Sequence, residues 1–267
     1  MKNATEYGKK VKAFLPTLKK QYPADPHRPV SDPLGLFVLA VLRENAPADA
    51  AARNLEVLRN EFVDYNELRV APVKDVVELL EGDPVALRTK ALRITEGLNR
   101  IFDQNNKLDL EHTTDMGKRD LRAHLSEALG LTSYVEAYLL THLFDHRAIP
   151  VDDSLVERLK AEDLAGGDAG VDDVRVLLER VVPTKDQDEM AEILAAWTHD
   201  PKAHAAKAGT GGGAVEKKAA SGRKSTGKAA RKTTSGKTAS KKKKTETTTK
   251  RAAARKTAKT KKKTRRQ

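Results

Sequence analysis

The chain has 267 residues, a formal net charge of +12 and no Cys, which excludes disulfides and thiolate-bound metal. The charge is uneven: 24 of the 50 Lys and Arg lie from Pro201 onward, against only two acids there, Glu216 and Glu246. An acidic body of about 200 residues, enough for one substantial core, therefore carries a strongly basic tail.

No apolar run reaches the roughly 18 residues of a membrane span, and the N-terminal segment lacks the apolar stretch of a secretory signal. The expectation is a soluble cytoplasmic protein.

Residues 4–21 read as a helix, with Val11, Phe14, Leu15 and Leu18 at helical spacing. Pro23, Pro26 and Pro29 then make a rigid loop. Asp32 is an N-cap with Pro33 at the first helical position, and the run 34–42 is almost wholly apolar, which predicts a buried helix. Further helices are expected over 48–62, with Leu55, Leu58 and Phe62 as its stripe, and over 65–70, 73–80 and 85–102.

Residues 109–125 lead into the most informative stretch, 125–153. Leu125 and Leu129 close an amphipathic helix, and Gly130 ends it by taking φ > 0. Ser133 and Glu136 have capping-box spacing for a new helix with Val135, Leu139, Leu140, Leu143 and Phe144 on its apolar side. Pro150 stops helical continuation, and Asp152, Asp153 and Ser154 are all competent N-caps for the next helix. Helices over 154–161, 171–181 and 186–198 complete an all-α set with no credible strand.

Two helices joined at a glycine turn form a hairpin whose amides can hold a phosphate. With an Asp about twenty residues on, this order resembles the helix-hairpin-helix DNA glycosylases of the endonuclease III superfamily. Aligning on Ala148, Ile149, Pro150, Val151 and Asp152 puts the family's first hairpin Gly on Gly130 and its catalytic Asp on Asp152, without a gap. The second hairpin Gly falls on Thr132, and the Schiff-base Lys of bifunctional members falls on Tyr134.

The resemblance implies a two-lobed helical body over residues 1–204. Its hairpin lies near 125–146, one lobe spans about 30–130, and the other combines 1–22 with 134–204. It also implies double-stranded DNA as partner, held in part by Gly130, Thr132, Ser133 and Tyr134. The activity implied is a DNA N-glycosylase, in which Asp152 stabilises oxocarbenium-like charge or positions water. Without the Lys, no lyase step is expected, because a phenol cannot form a Schiff base. The alternative is a glycosylase fold that has lost catalysis and serves as a DNA-binding or nucleoid-associated protein.

No cofactor is expected, and no iron–sulfur cluster, since residues 195–200 contain no Cys. His142 and His146 are spaced i, i+4, but nothing supplies a third ligand, so no metal site is expected. Asn45 falls where relatives place a Gln that fills the gap left by a flipped base; read from its own surroundings it is a surface helix end.

Residues 205–267 form the tail: a Gly-rich linker, then Lys, Arg, Ala, Thr and Ser with almost no bulk. Such a segment is expected to be disordered, as in Lys/Ala-rich histone-like tails. Runs such as Lys241, Lys242, Lys243 and Lys244 are expected to bind DNA phosphates without reading sequence. A monomer associated with the nucleoid is the resulting expectation.

Overall fold

The computed structural model describes residues 3–22, 32–113, 115–144 and 146–202. The chain divides into Met1–Ala214 and Val215–Gln267, and all described residues belong to the first unit. The predicted proline loop at 23–29 and the tail, with Lys241 to Lys244, lie outside the described residues.

The described residues are helical, without a strand. Their α-helices are α1 (Ala4–Gln21), α2 (Pro33–Arg43), α3 (Ala48–Glu61), α4 (Tyr65–Val70), α5 (Val73–Leu79), α6 (Pro84–Asn105), α7 (Lys118–Ala123), α8 (Ser133–His142), α9 (Asp153–Ala161), α10 (Val171–Val181) and α11 (Gln187–Thr198). Most follow the predicted bounds because local chemistry sets them. Asp32 accepts a hydrogen bond from the Leu34 amide, with Pro33 beginning α2, and Asp64 and Asp83 cap α4 and α6 in the same way.

Apolar side chains gather into two cores. The first unites α2 through α8, from Leu34 to Ala148. The second joins α1, from Val11 to Leu18, with Ile149, Val151 and α9 through α11. Helix α2 is the axis of the first core: it is buried from Leu34 to Arg43, as its apolar run requires. Its Phe37 ring packs against Gly97 of α6, where a Cβ would collide with the ring. Truncating a buried Phe of this kind to Ala typically costs about 3–5 kcal/mol.

Three local expectations are corrected. The turn before the hairpin, His124–Ala128, is wider than an α-helical turn, and the Leu131 amide reaches back to the Leu125 carbonyl. Helix α8 is capped by Thr132, whose Oγ1 accepts from the Val135 amide at 3.3 Å, and not by a Ser133–Glu136 box. Glu136 cannot complete such a box, because its carboxylate is drawn to Arg122 Nε at 2.7 Å. Finally, α8 ends at His142, so His146 is not one helical turn further along the same helix. Leu143 and Phe144 still pack on the first core from beyond the helix end.

Candidate active site

Gly130 ends the first arm of the hairpin with φ of 62°, the left-handed conformation expected from its residue type. The Arg100 guanidinium of α6 occupies the space a Cβ would need there, and its Nη1 donates to the Leu129 carbonyl at 3.1 Å. Nothing in the sequence pointed to Arg100 as a cation at the hairpin, because it lies 29 residues before Leu129 on another helix.

Thr132 has φ of −68°, so this position demands no glycine. The first ladder bond of α8 runs from the Glu136 amide to the Thr132 carbonyl, which leaves the Ser133 and Tyr134 amides ahead of the ladder. Gly130 is exposed, Thr132 and Ser133 are half-buried, and Tyr134 is buried.

Behind the hairpin, Tyr134 and Tyr138 lie one above the other on α8, with ring centroids 6.3 Å apart and planes 18° apart. Burial pushes both phenols up, Tyr138 to about 12. Both line a cavity with Arg43, Pro150, Asp152, Leu155, Glu192 and His199. The Asp152 carboxylate is therefore inside, at the junction of the two cores, with only 7% of the residue exposed.

Asp152 is the N-cap of α9. Its Oδ1 accepts from the Leu155 amide at 2.9 Å, and its Oδ2 accepts from the Asn45 amide at 2.8 Å. Asp153 is exposed and is the first residue of α9. The cavity beside the carboxylate is small, about 20 Å³, enough for one water and far too small for a base. Arg43 is part of its lining. Its Nη2 donates to Glu192 Oε2 at 2.9 Å and its Nη1 to the Tyr138 hydroxyl at 3.3 Å, and His142 Nε2 stands 3.6 Å from Glu192 Oε1. Burial works against the Arg43 charge, but Tyr138, Tyr134 and Glu192 outweigh it, so its pKa is raised.

Glu44 and Lys90 lie close enough to Asp152 for their charges to act on one another. Arg93 donates to Glu44 at 2.6 Å, and burial pushes the Glu44 carboxyl up against the pull of Arg93. Lys90 Nζ donates to the Leu42 carbonyl at 2.7 Å, and burial holds its pKa below the ordinary value. Among the described residues no cluster of three or more His, Asp or Glu could hold a metal.

No family model matches this sequence, and no curated protein matches it. Solved structures do. An endonuclease III in a non-covalent complex with DNA aligns with a TM-score of 0.54 over 71% of this chain and 85% of that one, at 16% identity. An endonuclease III trapped as a covalent intermediate with DNA gives 0.53 over 71% and 84%, at 16% identity. The body has the helix-hairpin-helix glycosylase fold.

An 8-oxoguanine glycosylase/lyase of Clostridium acetobutylicum in complex with double-stranded DNA shares that fold, with a TM-score of 0.52 over 73% and 70% and 13% identity. Within this fold, Tyr134 and Tyr138 of α8 line the same cavity as Asp152, whereas the hairpin turn, Gly130 to Thr132, lines a separate pocket with Arg93 and Arg100. No described helix is long and apolar enough to cross a membrane.

Proposed function

We propose that this protein binds double-stranded DNA and removes a base from it as a monofunctional N-glycosylase. The observation that carries this reading is Asp152: a carboxylate held by two backbone amides, buried at the junction of the cores and sharing its cavity with Tyr134. An anion so placed, with no Lys or Arg bonded to it in the described hydrogen-bond network, is suited to stabilising oxocarbenium-like charge as an N-glycosidic bond breaks. In the register of the resemblance Tyr134 takes the place of the Schiff-base Lys, and a buried phenol offers no amine.

DNA is the partner that the solved neighbours' complexes suggest. In this reading the hairpin amides of Ser133 and Tyr134, with Gly130, Thr132 and Arg100, approach one phosphate. The basic tail, including Lys241 to Lys244, supplies sequence-independent attraction. The monomeric, nucleoid-associated state follows from the same reading.

A second reading is favoured by the cavity itself. With about 20 Å³ open and the Arg43–Glu192 pair in place, a flipped base enters only if these side chains move. A protein that keeps them in place binds DNA without excising anything. Single-turnover excision over uracil, oxidised, alkylated and mismatched duplexes, with alkali to reveal abasic sites, separates the two. Excision abolished by Asp152→Asn supports the first reading; no excision on any duplex supports the second.

A further inference from the structure

The turn between α2 and α3 reaches three separate elements with three consecutive residues. Arg43 bonds Glu192 of α11, Glu44 bonds Arg93 of α6, and Asn45 bonds the start of α9. Lys90 holds the turn from behind through the Leu42 carbonyl. The turn is thus fixed in place on several sides before Asn45 makes any contact of its own.

Asn45 has φ of 55°, a left-handed conformation that Asn tolerates better than most side chains. That conformation gives the residue two uses at once. Its amide donates to Asp152 Oδ2 at 2.8 Å, and its side-chain Oδ1 accepts from both the amide and the hydroxyl of Ser154, each at 3.0 Å.

The terminal torsion of an aspartate is broad, so one hydrogen bond does not fix the plane of its carboxylate. The Leu155 amide alone would leave Asp152 free to swing within its N-cap. The second donor comes from a residue 107 positions away, in the other half of the body. We propose that Asn45 is a positioning residue for Asp152: its amide sets the carboxylate plane, and its side chain ties the turn to Ser154 so that the amide stays aimed. This rests on the glycosylase reading. It also means that the Asn45 side chain is engaged within the protein and does not fill the gap left by a flipped base.

Two measurements on the full chain decide it. In amide proton–nitrogen correlation spectra, Asp152→Asn should move the Asn45 resonance, because the new Nδ2 cannot accept from that amide, while Asp153→Asn should leave it in place. An unmoved Asn45 resonance in Asp152→Asn overturns the proposal, whether or not the protein is an enzyme. Wild type that excises no lesion overturns the glycosylase reading alone and leaves this first test to decide.

Where wild type does excise, Asn45→Gly keeps the left-handed backbone but removes the tie to Ser154. Its single-turnover rate should fall about tenfold with DNA affinity unchanged. Ser154→Ala, which removes only the hydroxyl donor, should fall less. A wild-type rate in Asn45→Gly overturns the proposal, and so does a loss of DNA affinity that accounts for the whole loss of rate, since that would make Asn45 a DNA contact.

Discussion

The Arg43 guanidinium lies 2.9 Å from the Glu192 carboxylate, joining α2 of the first core to α11 of the second beside Asp152. Arg43 is 6% exposed and Glu192 19% exposed at the side chain, so the pair is largely withdrawn from water. Removing one partner strands the other. Arg43→Ala is expected to destabilise the body by about 3–5 kcal/mol in urea denaturation. Replacing both, as Arg43→Met with Glu192→Leu, should cost much less, because no buried charge is then left alone.

Asp152→Asn is expected to lower stability and, if the protein excises bases, activity as well. The substitution preserves one acceptor for the Leu155 amide but sets an N–H group against the Asn45 amide. A loss of about 1–2 kcal/mol follows from the mismatched donor. Where wild type excises, the rate should fall at least a hundredfold, the typical size of one lost electrostatic contribution to the transition state. Asp153→Asn, on the exposed side of the same turn, should change neither measurement.

Gly130→Ala meets two obstacles: a left-handed backbone and the Arg100 guanidinium. The backbone alone costs about 1–2 kcal/mol. Arg100 belongs to a flexible, exposed side chain, so it can move aside at the expense of its bond to the Leu129 carbonyl. The double variant Gly130→Ala/Arg100→Ala should therefore be less destabilised than the sum of the two singles, a coupling readable from four thermal melts. Additive costs would show that the two residues do not touch in solution.

The tyrosines predict an alkaline limit. Burial and the bond to Asp32 push Tyr65 to about 12, and burial pushes Tyr138 to about 12. Both folded values lie above the ordinary value of 10.0, so the stability they confer is complete below about pH 10. It is lost as pH rises through about 12. Tyr138→Phe should flatten the fall in stability between pH 10 and 12, measured by denaturation at fixed ionic strength. An unchanged slope would place the loss in other groups.

The tail is expected to supply most of the DNA affinity. If about ten of its charges meet phosphates, log K should fall against log salt with a slope of about −9. Truncation at Gly211 should weaken binding by orders of magnitude at low salt and flatten that slope. A truncated body that binds as well as the full chain would assign the affinity to the hairpin instead.

The sequence by itself determined the helices and their order, because the signals are local. Asp32 with Pro33 begins α2, α4 and α10 cover the expected 65–70 and 171–181, and Gly130 turns with positive φ. Each depends on residues within a turn of one another, where propensity and capping act directly. Register from Gly130 to Asp152 also suggested the superfamily fold that the solved neighbours share.

Only the tertiary structure decided what surrounds Asp152. Asn45 meets it from 107 residues away, and Arg43 meets Glu192 from 149. Residue-type spacing carries no information about such pairs, since they form only when helices of two cores pack. The same packing corrected a local expectation: Arg122 drew Glu136 out of a capping box and left the cap to Thr132. A capping box is a local preference worth about 1 kcal/mol. A charge-assisted bond is worth more, so packing settles the outcome.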